Sequence, residues 1–381
     1  MAREVHFCLL SEQPSPNICP LLDSRLKPDE VVFVVSPQQR HRISWLKDIL
    51  QPTGIAVSEL AIEDAFDYAG IQEKLDSEIA QRREKGEKVL VNATGGTKPM
   101  SIAAYMAGYQ QEVPVFYVHN DRVHWLEQGG RDEKLFDIED RLKLKQFFLA
   151  HGYDLTEAKS PQVKPGHREL FLEWIGKGSY AESIRTLNWL AHRAAQHPEL
   201  IAELNPAQQN DQKLQAMFDK LGQEGLLLPE RSRVRFSSEE ARALCNGLWL
   251  EDHCLLEAKE VRKKLPRLQD LGRGLTLVSR REGVKNELDL ALLYDNRLHI
   301  IECKTRHYNA EEEDAAEALY KLATLVRQLG GIRARAMLVS HYLLNKADRR
   351  RAEVLDIQVV DGRNVRDFRS RLCQWLGVDT V

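Results

Sequence analysis

The sequence predicts an α/β protein of three parts: a doubly wound sheet in residues 1–150, a helical spacer in 151–236 and a second α/β unit in 237–381. Three observations support this division. Short apolar runs alternate with helical segments at the start, a Pro- and Gly-containing stretch follows at 152–167, and an acidic hairpin with flanking helices occupies the last third. A length of 381 residues is also too large for one compact domain.

The first part alternates strands and helices, which is typical of a mainly parallel sheet with helices on both faces. The predicted strands cover 5–10, 31–36, 55–60, 89–92 and 113–118, and the predicted helices cover 39–50, 63–85 and 101–111. Ligands of such sheets bind at the carboxyl ends of the strands, near a switch in strand order.

One loop lies where that rule expects a ligand. Thr94-Gly95-Gly96-Thr97-Lys98 leaves the strand 89–92 and enters a helix that opens with Pro99. The glycines allow close backbone approach, Thr97 can cap the helix, and the first N–H groups together with Lys98 attract phosphate. The loop matches neither a Walker A motif nor G-x-G-x-x-G, so ATP hydrolysis and dinucleotide binding are not supported. An ordinary capped turn is the alternative interpretation.

An acidic hairpin in the third part predicts a catalytic centre. A two-residue turn at Asp295-Asn296 would set Asp289 opposite Glu302 and Glu287 opposite Lys304. Two facing carboxylates repel, and a bound divalent cation is the natural compensation. Lys304 shares the face of Glu302 and could stabilise charge on a phosphate or orient a water. The alternative is a solvated surface hairpin.

Composition restricts the function classes. The formal net charge is −3, so any nucleic acid must be bound by local patches, and 259–285 holds nine Lys or Arg against three Asp or Glu. A second basic cluster is Arg349-Arg350-Arg351. The six cysteines form no C-x-x-C pair, no apolar run approaches the ~20 residues of a membrane span, and the N-terminus lacks a signal-peptide layout. A cytoplasmic protein without membrane contact is expected.

The spacer and the flanks of the hairpin complete the predicted architecture. Helices over 168–196 and 213–222, followed by strands at 225–228 and 233–236, resemble a winged-helix unit. A helix over 239–261 carries Glu251, which is either a third carboxylate of the site or a surface residue. The remaining predictions are a helix over 311–329 and strands at 336–340 and 357–360. Helix, hairpin, a further strand-like segment, helix and strand give the order α-β-β-β-α-β.

The loop Thr94–Lys98, together with Ser11-Glu12-Gln13 after the first strand, resembles the Rossmann-like CARF domain, the sensor of type III CRISPR defence. The resemblance covers about the first 150 residues. It implies a homodimer whose two loops bind a cyclic oligoadenylate, most often cyclic tetra-adenylate. By the same resemblance, the ligand-binding residues would be Ser11, Gln13, Ser36, Thr94, Gly95, Gly96, Thr97 and Lys98.

Asp289 followed by Glu302-Cys303-Lys304 resembles the restriction-endonuclease-like PD-(D/E)xK superfamily, with Leu288 in place of the proline. This implies a metal-dependent phosphodiesterase. Asp289, Glu302 and the Cys303 carbonyl would hold Mg²⁺ or Mn²⁺, and Lys304 would position water or neutralise the transition state. Glu287 and Glu251 are lesser candidates.

Together, the two resemblances indicate an ancillary effector nuclease of type III CRISPR systems, gated by a cyclic oligoadenylate. It is expected to act on single-stranded DNA or RNA and to nick duplex DNA. Two alternatives stay open: a ligand-responsive winged-helix DNA-binding regulator with an inactive nuclease fold, and a constitutive nuclease whose N-terminal domain serves assembly only. The intact Asp289, Glu302 and Lys304 argue against the first, and the loop at 95–98 argues against the second.

Overall fold

A computed structural model of the chain describes residues 2–127, 135–160, 163–176, 180–305 and 315–379. The strands within these ranges are β1 Glu4–Leu9, β2 Glu30–Val35, β3 Ala56–Ala61, β4 Lys88–Asn92, β5 Val115–His119, β6 Arg122–Glu127, β7 Leu135–Asp137, β8 Tyr153–Lys159, β9 Ile201–Glu203, β10 Leu227–Pro229, β11 Arg233–Phe236, β12 Leu268–Ser279, β13 Lys285–Tyr294, β14 Arg297–Lys304, β15 Arg335–Ser340 and β16 Ile357–Asp361. The helices are α1 Ser15–Leu22, α2 Ile43–Leu50, α3 Tyr68–Glu84, α4 Lys98–Gln110, α5 Leu144–Ala150, α6 Pro165–Gly176, α7 Ala181–Ala194, α8 Pro206–Asn210, α9 Gln212–Gln223, α10 Glu239–Ala243, α11 Trp249–Lys264, α12 Ala315–Gly330, α13 Lys346–Val354 and α14 Phe368–Leu376.

The first sheet has the order β3-β2-β1-β4-β5-β6-β7. The first five strands in that order run parallel, as predicted, and each lies within two residues of its expected range. β6 and β7 add an antiparallel edge that the sequence analysis did not foresee. The strand order reverses between β1 and β4, so the loops after these two strands flank the crevice where a ligand is expected.

Helices cover both faces of this sheet, because its central strands are apolar on both sides. One core joins alternate residues of β1 and β2, such as Phe7 and Val34, to α3 and α4. The other joins Cys8 and Phe33 to α1 and α2 and continues without interruption into the C-terminal part of the chain. The doubly wound prediction is confirmed.

The spacer contains the predicted β-wing and one further strand. β10 and β11 pair antiparallel, and β9 joins β11 to give the order β10-β11-β9. The helix predicted over 168–196 is instead two helices, α6 and α7. These helices and α9 enclose a core that includes Phe171, Leu187 and Phe218.

The linker predicted at 152–167 is wrong for its first half. Residues Tyr153–Lys159 form β8, which pairs antiparallel with β12 at the edge of the C-terminal sheet. Polar side chains such as Asp154, Thr156 and Glu157 concealed this strand. An edge strand faces water along one side, and it needs no continuous apolar run.

The C-terminal sheet has the order β16-β15-β14-β13-β12-β8. β12, β13 and β14 form an antiparallel meander, and β14, β15 and β16 run parallel. The sequence analysis predicted the acidic hairpin but did not predict β12, the strand that precedes it. Gly272 and Gly274 interrupt that strand, and the latter has a φ of 56°.

The helix predicted over 239–261 is broken rather than continuous. α10 and α11 are separated at Gly247, whose φ of 122° lies outside the helical range. Predicted helix 311–329 corresponds to α12, which begins at Ala315; its expected first residues lie outside the described ranges. α12 ends at Gly330, and Gly331 follows with a φ of 67°, as expected for a glycine stop.

None of the helices in the described ranges is both long and apolar enough to cross a lipid bilayer.

Candidate functional sites

The acidic hairpin opens into a fork at Asp289 and Glu302. β13 and β14 pair from Tyr294↔Arg297 to Leu290↔Ile301, as the two-residue turn at 295–296 predicts. Beyond that point β13 continues along β12, with Leu288 opposite Leu275, while β14 continues along β15. Asp289 and Glu302 therefore lie at the point where the two strands separate.

Asp289 bridges this fork. Its Oδ2 accepts a hydrogen bond of 2.7 Å from the Cys303 backbone N–H. Burial and the neighbouring Glu302 carboxylate raise the pKa of Asp289 to about 7, although the Cys303 N–H, Lys304 and Lys321 partly offset that rise. The strand pairing ends one residue before the predicted pair of Asp289 and Glu302, but the two carboxylates still repel each other.

Glu302 and Lys304 form an ion pair on the same face of β14. The Lys304 Nζ lies 2.7 Å from Oε1 of Glu302, and both side chains are partly exposed. A lysine held beside a carboxylate at the mouth of a site can move to a phosphate when one arrives, because it keeps access to solvent.

Glu251 belongs to the same electrostatic cluster. Burial and the Asp289 carboxylate raise the pKa of Glu251 to about 8. Arg273 holds it from the other side, with Nη1 3.4 Å from Oε2 of Glu251 and Nε 2.8 Å from Oδ1 of Asp252. Sequence analysis missed this role of Arg273, because it counted the residue in the basic patch.

The predicted position of Glu287 opposite Lys304 is wrong. Beyond the fork Glu287 is opposite Thr276 of β12, not opposite Lys304. Its side chain is 74% exposed and lies 3.2 Å from the ammonium of Lys285. The register set by the two-residue turn applies only to the residues over which β13 and β14 are paired.

The donor set suits a hard cation that keeps several water ligands. In the described ranges, no three His, Cys, Asp or Glu side chains form a metal-binding group by themselves. Asp289 and Glu302 nevertheless offer carboxylate oxygens, and a cation bound between them would relieve their mutual repulsion. Mg²⁺ often binds to one or two carboxylates and completes its coordination with water. The Cys303 side chain is buried against Cys254, with the sulfurs 3.9 Å apart, so only its main chain could contribute.

The spacer holds the end of the catalytic strand. The Asn188 side chain of α7 donates a hydrogen bond of 3.1 Å to the backbone carbonyl of Thr305, the residue after Lys304. Gly247 lies against the Thr305 hydroxyl so closely that a side chain at 247 would collide with it. The break between α10 and α11 thus makes room for the catalytic strand, a role that no sequence pattern indicated.

The two basic clusters are largely engaged within the protein. Arg280 pairs with Asp48 and Asp154, and Arg267 pairs with Asp295. In the second cluster, Arg349 and Arg351 pair with acidic residues of their own domain. Neither run of charges is therefore a continuous phosphate-binding surface.

The glycine loop after β4 is pressed against β1. A Cβ at Gly95 would collide with the carbonyl oxygen of Leu9, so only glycine allows this approach. Gly96 has a φ of 74°, which also favours glycine. The loop therefore lies at the switch between β1 and β4, where the doubly wound sheet forms its crevice.

The threonines of this loop have structural partners. Thr94 donates to Asn92 Oδ1 (2.5 Å) and accepts from the Val118 N–H (2.8 Å), which ties the loop to β5. Thr97 caps α4 and donates to the Ala65 carbonyl. Lys98 is exposed, and within the described part of the chain neither it nor the N–H groups of 95–98 have a partner.

The other predicted ligand residues differ in their surroundings. The Ser11 hydroxyl donates to the Gln13 carbonyl (3.1 Å), and Ser36 is buried at the carboxyl end of β2. The Gln13 amide lies against Gly331, where an added Cβ would collide with it. Gln13 therefore reaches toward the C-terminal domain.

Comparison with protein families identifies both domains. Residues 5–147 match the family described as the Card1 CARF domain, and residues 238–378 match the Card1-like endonuclease domain. The chain therefore joins a Card1 CARF domain to a Card1-like endonuclease domain. The endonuclease match covers the forked hairpin, and the CARF match covers the glycine loop.

Solved structures agree with this assignment. Protein VC1899 from Vibrio cholerae is 28% identical, with a TM-score of 0.91 and 98% of each chain covered. Can2 from Sulfobacillus thermosulfidooxidans, solved with cyclic tetra-adenylate, is 25% identical, with a TM-score of 0.81, covering 98% of this chain and 99% of its own. A type III CRISPR defence DNA nuclease activated by cyclic oligoadenylate shares the fold at 19% identity and a TM-score of 0.57, covering 91% of this chain and 46% of that one. No curated protein sequence matches the chain.

The CARF and endonuclease domains meet through a buried charge. Asp121, in the turn between β5 and β6, is 4% exposed. Its carboxylate lies 2.6 Å from Arg333 and 3.6 Å from Arg297, both in the endonuclease domain. Burial raises the pKa of Asp121, and Arg333 is the main group that lowers it again.

One helix of the endonuclease domain runs from this contact to the catalytic centre. Gly331 and Arg333, directly after α12, touch Gln13 and Asp121 of the CARF domain. Earlier in α12, Lys321 acts on the charge of Asp289. The segment directly after α12 therefore contacts the CARF domain, while Lys321 within the helix favours the ionised form of Asp289.

Proposed function

We propose that the chain is a metal-dependent endonuclease of type III CRISPR defence, activated by a cyclic oligoadenylate bound between the CARF domains of a homodimer. The activator is cyclic tetra-adenylate, and the substrates are single-stranded DNA and RNA, with nicking of duplex DNA as a further activity. The observation that carries this proposal is the fork that holds Asp289, Glu302 and Lys304 together in a Card1-like endonuclease domain.

The glycine loop supports cyclic oligoadenylate as the ligand. The free N–H groups of 95–98 at the start of α4, with exposed Lys98, suit the phosphates of an anionic ring. Thr94 and Thr97 hold the loop in place, Ser11 follows the neighbouring strand β1, and Ser36 follows β2, one strand further along the sheet. The Can2 relative was solved with the four-adenosine ring, which makes that ring the first candidate.

A second copy of the chain is the expected partner of α4. Ile102 and Tyr109 stand on its outer surface and are more than half exposed, about one turn and about three turns after Lys98. A dimer through this helix would cover these apolar side chains and bring two glycine loops together. A monomeric mass by sedimentation velocity at micromolar concentration would contradict this arrangement.

The catalytic residues have separable tasks. Asp289 and Glu302 would hold the cation, with Glu251 beside them, and the Cys303 main chain fixes the Asp289 carboxylate. A bound Mg²⁺ or Mn²⁺ supplies Lewis-acid stabilisation of the phosphate and a more acidic water. Lys304 then neutralises charge on the phosphate oxygens, and its pairing with Glu302 keeps it in position until substrate enters.

Activation would pass through the contact between Asp121 and the segment after α12. An activator that draws the loops after β1 and β4 together also moves Gln13, and the Thr94 bond to Val118 links the glycine loop to β5 and its turn at Asp121. Differential binding to two arrangements of the domains is the physical requirement.

The test is cleavage of single-stranded DNA, RNA and supercoiled plasmid in Mn²⁺, with and without cyclic tetra-adenylate. We expect activator-dependent cleavage of the single strands, and loss of at least about a hundredfold in Glu302→Ala because the cation site is incomplete. Glu287→Ala is the matched control: it removes a neighbouring but exposed carboxylate and should retain activity.

Three outcomes would contradict the proposal. Equal cleavage without any nucleotide would favour a constitutive nuclease. Retained activator binding with no cleavage of any substrate, in Mg²⁺ or Mn²⁺, would favour the DNA-binding regulator. Full activity of Glu302→Ala would place the catalytic centre elsewhere.

A further inference from the structure

An exposed aromatic side chain lies on α12, the helix that follows β14 in the chain. Tyr320 is 55% exposed. The guanidinium of Arg351, on α13, lies over the Tyr320 ring at 5.7 Å from the ring centre. Arg351 is itself fixed by an ion pair of 2.5 Å with Asp348 of the same helix. The ring is thus supported by a positioned cation while more than half of its surface faces water.

α12 and α13 follow the two neighbouring strands β14 and β15, whose carboxyl ends lie at the same edge of the sheet as Lys304. β14 and β15 are parallel neighbours with Lys304 opposite Ser340, so their carboxyl ends lie side by side. α12 follows β14 in the chain, and α13 follows β15. Lys321, next to Tyr320, is exposed, and its positive charge favours the ionised form of Asp289.

We propose that Tyr320, supported by Arg351, is a stacking platform for an unpaired base of the substrate, and that Lys321 contacts the adjoining phosphate. This inference rests on the proposed nuclease function and specifies how its active site selects the substrate class. The substrate is single-stranded nucleic acid, because a base must leave its duplex partner and neighbours to stack on a protein ring.

The chemistry of the platform accounts for loose sequence preference. Every base has a π-face, and an aromatic ring accepts any of them without reading hydrogen-bond donors or acceptors. The guanidinium of Arg351 lies over the ring, 5.7 Å from its centre, and adds positive charge to the platform. Lys321 and the exposed Arg350, neither of which is paired in the described part of the chain, would make the binding depend on salt.

The test is binding of a labelled oligonucleotide of about 20 nucleotides, single-stranded or as the matching duplex, by fluorescence anisotropy. All variants carry Glu302→Ala, and saturating cyclic tetra-adenylate and Mn²⁺ are present. Tyr320→Ala should weaken single-strand binding about tenfold and leave duplex binding unchanged, because one stacked base is lost. Tyr320→Phe keeps the ring and should bind normally.

Val354→Ala is the matched control, since Val354 is an 85% exposed side chain on α13, three residues after Arg351. Lys321→Gln should reduce the salt dependence of single-strand binding by about one phosphate contact. Thermal unfolding of each variant establishes that it is folded.

The platform is overturned if Tyr320→Ala binds single strands like its parent, if Tyr320→Phe loses as much as Tyr320→Ala, or if Val354→Ala loses as much as either. The nuclease proposal has a separate readout, which is cleavage by the chain with and without Glu302→Ala. Loss of cleavage in Glu302→Ala combined with unchanged binding in Tyr320→Ala would reject the platform alone. Retained cleavage in Glu302→Ala would reject the nuclease centre.

Discussion

Three carboxyl groups near the fork repel one another in the metal-free protein. Burial and Glu302 raise the pKa of Asp289 to about 7, and burial and Asp289 raise the pKa of Glu251 to about 8. These groups ionise near pH 4 in the unfolded chain. Between about pH 4 and 8 the folded protein therefore retains protons that the unfolded chain has released, and their contribution to stability falls as pH rises.

This titration predicts how cation binding depends on pH. Mn²⁺ needs ionised ligands, so binding must displace any proton on Asp289 or Glu251. We expect the affinity for Mn²⁺ to rise by up to about a hundredfold per pH unit below about pH 7, where both groups carry protons, and by about tenfold between about pH 7 and 8. Isothermal titration calorimetry in two buffers of different ionisation heat measures both the affinity and the protons released.

Asp289→Asn should flatten most of this pH dependence and weaken binding. An affinity that is constant from about pH 6 to 8 would show that both carboxyls are already ionised in the metal-free protein.

At the residue scale, the sequence predicted the register of the hairpin because turn geometry is local. The Asp295-Asn296 pair adopts φ values of 53° at both positions, and the register from that turn reaches Leu290 without a slip. Glu287 could not be excluded in this way. Its position depends on where β13 leaves β14 for β12, and that departure is decided by tertiary packing.

At the scale of elements, the break between α10 and α11 is the feature with the sharpest consequence. Gly247→Ala would place a Cβ against the Thr305 hydroxyl and force a φ of 122° on a residue with a side chain. We expect a loss of about 1–3 kcal/mol in the free energy of unfolding, and reduced cleavage because Thr305 follows Lys304. Urea unfolding and the cleavage assay measure the two effects.

Gly225→Ala is the control that distinguishes the effect of backbone strain in Gly247→Ala from the effect of its steric collision with Thr305. Gly225 also has a positive φ, of 72°, but a Cβ there would meet open space. This variant should lose about 1 kcal/mol or less and keep its activity. Equal effects of the two substitutions on cleavage would show that the contact with Thr305 is not important.

Element prediction succeeded where apolar runs were bounded by turn residues. The five parallel strands of the CARF domain and the hairpin meet that condition. β12 does not, since its middle is Gly272-Arg273-Gly274 and its arginine is buried by pairing with Glu251 and Asp252. A buried cation is stable only beside its partners, and those lie on α11, more than 20 residues earlier in the sequence.

At the scale of the whole molecule, Arg333 joins the sensor to the catalytic domain. Arg333→Gln would leave the buried carboxylate of Asp121 with Arg297 alone, 3.6 Å away. We expect a loss of about 2–4 kcal/mol in stability. Cyclic tetra-adenylate should still bind, because the glycine loop is intact, but it should stimulate cleavage several-fold less. Calorimetry and the cleavage assay give the two readouts.

Arg327→Gln is the matched control, since Arg327 is an exposed arginine on α12 without a partner in the described residues. It should behave like the unchanged chain in both assays. Undiminished stimulation in a folded Arg333→Gln variant would show that the signal does not cross the domains through Asp121.

The domain contact illustrates what one sequence cannot supply. The turn at Asn120-Asp121 and the segment Gly331–Arg333 are separated by more than 200 residues, and no periodicity connects them. The sequence predicted each domain from its own strands and loops. The pairing of Asp121 with Arg333 emerges only once the two sheets are placed side by side.

The position of β8 limits where the chain can be divided into separate domains. It lies before the spacer in the chain yet completes the sheet that contains the catalytic fork. A fragment cut at the start of the endonuclease match would expose the bare edge of β12, and unpaired edges favour aggregation. An exchange of the endonuclease domain between different CARF domains must therefore include the segment Tyr153–Lys159, because that segment completes the C-terminal sheet.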